Sequence, residues 1–240
     1  MKYEYQQALN KLKLDRSKPI NNLNINPKLC NGVVQGNDFI KLFLPFLKIK
    51  VDSREQDEWI KNAAEYFGIS TEVAVKNKKA HTENLKEGDI TFSVQFGEKV
   101  YDYTNIVAYE RKGSPSELTN NFRGDRTRLE REFSRKVDKE YQKFVLVLEM
   151  GFNLLDLMDY KFKFYNKEGK LEEKSCGLTA FSTVLSWTQP NNYSFSVLQY
   201  DTQKKDKKEK LFARNKLFWL IIYDMFYFFR QEIRAEAEKI

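Results

Sequence analysis

Histidine and cysteine are scarce in this chain, and their scarcity excludes several kinds of site. The 240 residues include one histidine, His81, and two cysteines, Cys30 and Cys176. Two cysteines are too few for a disulfide framework, and neither has a metal-ligating neighbour in sequence. Most zinc sites and most histidine-dependent catalysis are therefore excluded by count. A catalytic metal here should be bound through oxygen, which favours Mg²⁺ or Mn²⁺.

Long apolar runs are also absent. The most apolar stretch, Leu217 to Phe229, has 13 residues and is interrupted by Asp224. Because a bilayer span needs about 20 apolar residues, this stretch predicts a buried or partner-facing helix. Residues 1 to 13 are polar and lack the apolar centre of a secretory signal. We expect a soluble, cytoplasmic protein with no membrane partner.

The charge balance is moderately basic. Lysine and arginine total 41 against 34 acidic residues, which gives a net charge of +7. This excess favours a polyanionic partner such as nucleic acid, although a generic basic protein would look similar. The length suffices for one domain with a proper core, or for one domain plus an extension.

The apolar pattern divides the chain into three parts. Residues 1–38 are rich in Asn and Lys and predict a polar arm with at most a short helix over 3–14. Residues 39–150 predict a compact core, and residues 151–240 continue the same domain without a linker. We predict strands over 47–52, 71–75, 89–94, 106–112, 144–149 and 193–200, a hairpin over 161–174, and helices over 55–67, 116–136, 178–187 and 208–239. This order favours an α/β fold with a mixed central sheet flanked by helices, and a long C-terminal helix.

Two of these strands carry the residues best suited to catalysis or metal binding. Asp89 opens one strand, and Glu110, Arg111 and Lys112 close another. Because side chains alternate along a strand, Glu110 and Lys112 share one face, and Arg111 lies on the other. We expect Arg111 to form an ion pair, with Glu55 or with a helix carboxylate. If the strands are neighbours, two carboxylates and a lysine converge, which is the minimal set of a metal-dependent phosphodiesterase.

Four ordered motifs resemble the XPF-type nuclease domain. They are Val51-Asp52-Ser53-Arg54-Glu55, Gly88-Asp89, Glu110-Arg111-Lys112 and the segment 118–132 that follows. The family's signature is a VDxRE stretch, then GD, then ERKxxxD, and it belongs to the restriction-endonuclease-like PD-(D/E)xK class. The segment 118–132, the segment 178–187 and the aromatic final helix resemble short phage and bacterial members.

The resemblance implies a function. Members cut duplex DNA near flaps, forks or junctions with a divalent metal, and they work as homodimers or heterodimers. Asp89, Glu110, Lys112 and Arg111 would form the catalytic region, with metal ligation by Asp89, Glu110 and Asp52. Asp52 and Glu55 could instead cap a helix, and Arg54 could instead brace the site by pairing with one of its carboxylates.

One position departs from the family's pattern. Ser116 stands where the signature has Asp, and the acid comes one residue later, at Glu117. Glu117 is a candidate third ligand because its longer side chain could reach back. The departure also motivates an alternative, a DNA-binding subunit that kept the fold and lost cleavage. A third hypothesis is a basic protein whose partner is RNA or another protein.

The helix predicted over 116–136, which follows Lys112, is rich in arginine. Its arginines are interleaved with Asp125, Glu130 and Glu132, which is also typical of a solvated helix face. Arginine forks bind phosphates bidentately, so we predict contacts with the DNA backbone. The predicted DNA-binding residues are Arg54, Arg123, Arg126, Arg128, Arg131 and Arg135.

Overall fold

A computed structural model describes most of the predicted core. The described residues are 40, 43–52, 58–74, 85, 88–96, 99–104, 106–124, 127, 130, 141–149, 154–189 and 195–237. The predicted arm over 1–38, His81, Arg54 and Glu55 lie outside them. So do four of the predicted DNA-binding arginines: Arg126, Arg128, Arg131 and Arg135.

The described part of the chain forms nine strands and four α-helices. The strands are β1 (Leu47–Asp52), β2 (Ser70–Ala74), β3 (Ile90–Phe96), β4 (Lys99–Asp102), β5 (Val107–Lys112), β6 (Lys143–Leu148), β7 (Lys161–Tyr165), β8 (Leu171–Ser175) and β9 (Ser196–Gln199). The helices are α1 (Trp59–Tyr66), α2 (Pro115–Gly124), α3 (Gly177–Thr188) and α4 (Lys207–Ala237). Short 3-10 turns cover Leu44–Phe46 and Asp156–Asp159.

Seven strands make a mixed sheet. Its order is β2-β1-β3-β5-β6-β9, with β4 paired to β3 beside that path. The β1–β2, β5–β6 and β6–β9 pairs are parallel, whereas β3 is antiparallel to β1, β4 and β5. β7 and β8 form a separate two-stranded hairpin. The predicted mixed α/β sheet flanked by helices, with its long final helix, is confirmed.

The two faces of the sheet are covered by different helices. Alternate residues such as Val107 and Tyr109 pack with α1 and α4 in the larger apolar core. The opposite face, which includes Ala108 and Leu146, packs against α2, α3 and the turn at Leu157. β6 is buried along nearly its whole length, as its unbroken apolar sequence predicts.

Helix α4 lies on the larger core through apolar residues at helical spacing, including Leu217, Ile221 and Phe229. Polar contacts fix its position. Tyr109 Oη donates to Asp224 Oδ2 at 2.9 Å, and Lys143 Nζ lies 2.5 Å from Asp224 Oδ1. Asp224, which interrupts the apolar run in sequence, therefore ties the helix to β5 and β6. None of the helices described is long and apolar enough to cross a membrane.

The predicted elements differ from the structure mainly at their ends. β4 was not predicted, because its four residues carry too little periodicity to indicate a strand. The helix predicted over 116–136 begins at Pro115 and is described to Gly124. The final helix begins at Lys207, where Asp206 Oδ1 accepts the backbone N–H groups of Lys208 and Glu209.

The Tyr109–Asp224 contact predicts a pH-dependent contribution to stability. Burial, together with the nearby Asp224 carboxylate, holds the pKa of Tyr109 well above its ordinary value. Tyr109→Phe should therefore lower the free energy of unfolding by about 2 kcal/mol near neutral pH. Tyrosine in the unfolded chain ionises near pH 10, so above about pH 10 the wild type loses this advantage by about 1.4 kcal/mol per pH unit. Urea unfolding of both proteins between about pH 8 and about pH 11 measures the difference. A difference that stays constant across that range would contradict the assignment.

Candidate active site

The two strands that carry the predicted acids are neighbours. Ile90 pairs with Tyr109, and the backbone N–H of Asp89 donates to Tyr109 O at 2.8 Å. The Asp89 side chain accepts the backbone N–H of Arg111 at Oδ2, 2.7 Å away. Asp89 is therefore bonded to β5 through both its backbone and its side chain.

Gly88 is required for this approach. Its φ is +74°, in the left-handed region that favours glycine. A Cβ there would also lie 3.0 Å from both Ala108 Cβ and Tyr109 O. The glycine before Asp89 thus lets the chain enter β3 against β5.

Strand register places three acids in a row on one face. Val51 pairs with Ile90 and Ile90 with Tyr109, so the next positions bring Asp52, Asp89 and Glu110 side by side across β1, β3 and β5. The backbone N–H of Asp52 donates to Asp89 O at 2.8 Å, which confirms the register there. On the β6 side this face is covered by α2 and α3; on the β1 side it carries polar residues such as Lys50 and Thr91. The three acids lie at the boundary between the part of this face that the helices cover and the part that carries polar residues.

Lys112 completes the row. Its Nζ lies 2.6 Å from Glu110 Oε1 and 3.6 Å from Glu117 Oε1, with only 6% of its side chain exposed. Burial works against the ammonium charge, but the Glu110, Asp89 and Glu117 carboxylates outweigh it and raise the pKa of Lys112. Lys112 therefore places a positive charge directly beside the Glu110 carboxylate.

Glu117 has a local structural role near the same lysine. Ser114 Oγ accepts the backbone N–H of Glu117 at 3.1 Å, and Glu117 Oε2 accepts the backbone N–H of Gly113 at 2.8 Å. This arrangement resembles a capping box, with Pro115 at the first helical position of α2. Ser116 O accepts the Thr119 hydroxyl within the same turn. Glu117 therefore caps a helix while lying beside Lys112.

The cap gives a stability prediction. Glu117→Ala should lower the free energy of unfolding by about 1 kcal/mol, because the Gly113 N–H loses its acceptor. Glu117→Gln keeps an acceptor oxygen and should stay within about 0.5 kcal/mol of the wild type. Ser114→Ala, which removes the other half of the cap, is the matched comparison. A capping role would be contradicted if Glu117→Gln lowered the free energy of unfolding as much as Glu117→Ala does.

Arg111 lies on the opposite face and forms an ion pair with Glu149, the residue directly after β6: Arg111 Nη1 lies 2.7 Å from Glu149 Oε1. Glu55, one of the partners expected from the sequence, lies outside the described residues. Glu149 is fully buried, and its Oε2 accepts Thr202 Oγ1 at 2.8 Å and Arg214 Nε at 3.1 Å. Sequence reasoning missed Glu149, although an acid closing an unbroken apolar strand was a usable signal.

The predicted DNA-binding arginines remain predictions. Arg123 lies at the end of α2, and the other five lie outside the described residues, as does Glu55.

The row of acids fits a hard divalent cation by its chemistry. All of the atoms that this row offers to a metal are carboxylate oxygens. The buried Lys112 ammonium beside Glu110 shows that this position stabilises positive charge. Among the described residues, no group of three or more His, Cys, Asp or Glu side chains is gathered as a ligand cluster. Mg²⁺ commonly binds to one or two carboxylates, with water and substrate phosphates as its other ligands, so two acids such as Asp89 and Glu110 could hold it.

Comparison with known proteins gives a distant structural likeness. No family model and no curated protein matches the sequence. A solved structure of XPF from Aeropyrum pernix has a TM-score of 0.42 and 14% identity over 72% of this chain. A second structure of that protein, in complex with DNA, has a TM-score of 0.39 and 15% identity over the same share. The chain covers 64% of the length of the Aeropyrum chain in each case, which is less than two thirds.

Proposed function

We propose that this chain is a metal-dependent DNA endonuclease that hydrolyses phosphodiester bonds, with Asp89, Glu110 and Lys112 as its catalytic residues. The observation that carries the proposal is the register that brings these three side chains together on one face of the sheet. The four ordered motifs and the net charge of +7 are consistent with it.

Each residue has a distinct role in the proposed reaction. Asp89 and Glu110 would hold Mg²⁺ or Mn²⁺, with Asp52 and Glu117 as further candidate ligands, and the metal would supply Lewis-acid activation of the phosphodiester and of water. Lys112 would orient the attacking water or stabilise the negative charge that develops on the phosphate. The backbone N–H of Arg111 fixes the Asp89 carboxylate, so this acid is oriented before substrate arrives.

Branched or structured DNA, such as a flap, fork or junction, is the proposed substrate, and a homodimer or heterodimer the proposed assembly. Both follow from the motif resemblance. Arg123 in α2 and the arginines predicted from the sequence after it would contact the DNA backbone.

Cleavage by wild type and Asp89→Asn tests the proposal. Labelled linear, flap, fork and four-way DNA would be incubated with Mg²⁺ or Mn²⁺, and with EDTA as the metal-free control. Asparagine keeps an oxygen that can accept the Arg111 N–H, so the fold should persist while cleavage falls by about a thousandfold or more. Asp159→Asn, at an exposed aspartate in the turn before β7, is the matched control and should cut like wild type. Equal cleavage by wild type and Asp89→Asn would refute the proposed site.

The alternative is a DNA-binding subunit without cleavage. Two observations favour it: Ser116 replaces the family's Asp, and the Glu117 carboxylate is engaged in capping α2. The same experiment separates the two functions. DNA binding without cleavage on any substrate, identical in wild type and Asp89→Asn, would establish the subunit.

A further inference from the structure

The ends of β5 and β6 are bonded together by Glu149, a residue that has no part in the proposed cleavage chemistry. Glu149 directly follows β6, is 0% exposed and accepts Arg111 Nη1 at 2.7 Å through Oε1. Its backbone N–H donates to Lys112 O at 2.9 Å. One buried residue therefore contacts two consecutive positions of the strand that carries Glu110 and Lys112.

Gln203 extends these bonds to the next position of the chain. Its Nε2 donates to Gly113 O at 2.8 Å and to Glu149 O at 3.0 Å. Because Gly113 directly follows Lys112, residues 111–113 are bonded at three successive positions to Glu149 and Gln203. A side-chain amide that donates to the carbonyl groups at two neighbouring strand ends also fixes their separation.

The Glu149 carboxylate is itself fixed by two further partners. Thr202 Oγ1 donates to Glu149 Oε2 at 2.8 Å, and Arg214 Nε in α4 lies 3.1 Å from the same oxygen. Thr202 is 0% exposed. A buried carboxylate with three charged or hydroxyl donors has a defined orientation, because leaving any of these groups unpaired is costly. The segment after β9 and helix α4 therefore help to fix the position of Arg111.

The Arg111 main chain connects this network to the row of acids. The Arg111 side chain binds Glu149 on one face of the sheet, whereas its backbone N–H donates to Asp89 Oδ2 at 2.7 Å. A displacement of the Arg111 main chain would therefore move the donor that orients Asp89. Groups that orient a metal ligand in this way commonly change metal affinity about 10- to 100-fold when they are replaced.

We propose that Glu149 and Gln203 are positioning residues, which fix the Asp89 carboxylate through the Arg111 main chain and so strengthen metal binding. The inference rests on the proposed function, because it takes Asp89 and Glu110 as the metal ligands. A network that served stability alone would leave both the Asp89–Arg111 hydrogen bond and the metal affinity of the folded protein unchanged. A positioning role predicts that both weaken together.

Gln203→Ala is the main test, because Gln203 is exposed and its replacement should leave the fold intact. Hydrogen exchange of the Arg111 N–H, followed by NMR in EDTA, should become about tenfold faster, because residues 111–113 open more easily. Mn²⁺ binding, measured by calorimetry without DNA, should weaken about tenfold. Gln203→Glu keeps the shape of the side chain but cannot donate to the two carbonyl groups, so it should reproduce both effects.

Asn166→Ala is the matched control. The Asn166 side chain also forms two hydrogen bonds with the main chain, since its Oδ1 accepts the N–H groups of Glu168 and Lys170 in the turn between β7 and β8. Its removal should lower the urea midpoint of unfolding by an amount similar to that for Gln203→Ala. Exchange of the Arg111 N–H and Mn²⁺ affinity should nevertheless stay at their wild-type values.

Glu149→Gln tests the buried residue. It should accelerate the same exchange and weaken Mn²⁺ binding at least as much as Gln203→Ala, because the uncharged amide binds the Arg111 guanidinium less strongly. The inference is overturned if the two Gln203 variants exchange the Arg111 N–H at the wild-type rate, or if they bind Mn²⁺ as tightly as wild type. The Gln203 variants decide the outcome even if Glu149→Gln does not fold.

The two proposals fail in distinguishable ways. Arg111 N–H exchange that depends on Gln203, in a protein that cuts no DNA and whose Mn²⁺ binding is unchanged by Asp89→Asn, would refute the endonuclease. It would leave the link between Gln203 and the Asp89 carboxylate intact. Metal-dependent cleavage and Mn²⁺ binding that require Asp89 but are insensitive to Gln203 would refute the positioning role alone.

Discussion

Replacing Glu110 with glutamine should reduce metal-dependent DNA cleavage by about a thousandfold or more, equivalent to about 4 kcal/mol of transition-state stabilisation. Glutamine has nearly the same shape but no charge, so it is a poor ligand for a hard divalent cation. It also leaves the buried Lys112 ammonium without its nearest carboxylate, 2.6 Å away in the wild type. A loss of stability of about 1–3 kcal/mol should accompany the loss of activity.

A double variant separates these two effects. Glu110→Gln combined with Lys112→Met removes the unpaired charge as well, so it should unfold at a higher urea concentration than Glu110→Gln alone. Cleavage should remain lost, because both the ligand and the fixed positive charge are gone. Urea unfolding and cleavage of the same preparations provide the two readouts. Recovery of cleavage together with stability would mean that the pair is structural and not catalytic.

Replacing Glu149 with alanine should lower the free energy of unfolding by about 3–5 kcal/mol. Glu149 is 0% exposed and is the shared partner of Arg111, Arg214 and Thr202. Its removal leaves two guanidinium groups, whose side chains are only 12% and 19% exposed, without their carboxylate. Urea unfolding followed by tryptophan fluorescence measures the effect.

The matched control for Glu149 is an exposed glutamate with a lysine partner. Glu173 on β8 lies 3.1 Å from Lys163 Nζ, with both side chains largely exposed. Glu173→Ala should cost no more than about 1 kcal/mol, because solvent screens the pair. Similar losses for Glu149→Ala and Glu173→Ala would show that the buried network contributes little.

Much of the local structure was predictable because its causes are local. The alternation in 106–112 correctly separated Glu110 and Lys112 from Arg111, since neighbouring strand residues must point to opposite faces. The hairpin around Asn166 followed from its turn residues: Asn166 Oδ1 accepts the N–H groups of Glu168 and Lys170. The long final helix, predicted over 208–239 and observed over Lys207–Ala237, followed from its apolar spacing.

The candidate site was predictable in part. Asp89, Glu110 and Lys112 were chosen from the sequence, and convergence was expected only if their strands were neighbours. The structure meets that condition through the Asp89–Tyr109 backbone bond. Glu149 was not predicted, because a single acid after an apolar strand does not identify its partners. Its partners are distant in sequence: Arg111 is separated from Glu149 by 38 positions and Arg214 by 65 positions.

The sequence by itself determined the local elements and limited the ligands that a metal site could use. One histidine and two cysteines leave mainly oxygen ligands, and strand and helix periods follow from backbone geometry over a few residues. Only the tertiary structure decided which strands lie side by side and which acids share a row. Those outcomes depend on contacts between distant parts of the chain, such as Tyr109 with Asp224 and Gln203 with Gly113. No local pattern encodes such pairs, because each is selected by how the whole sheet and its helices pack together.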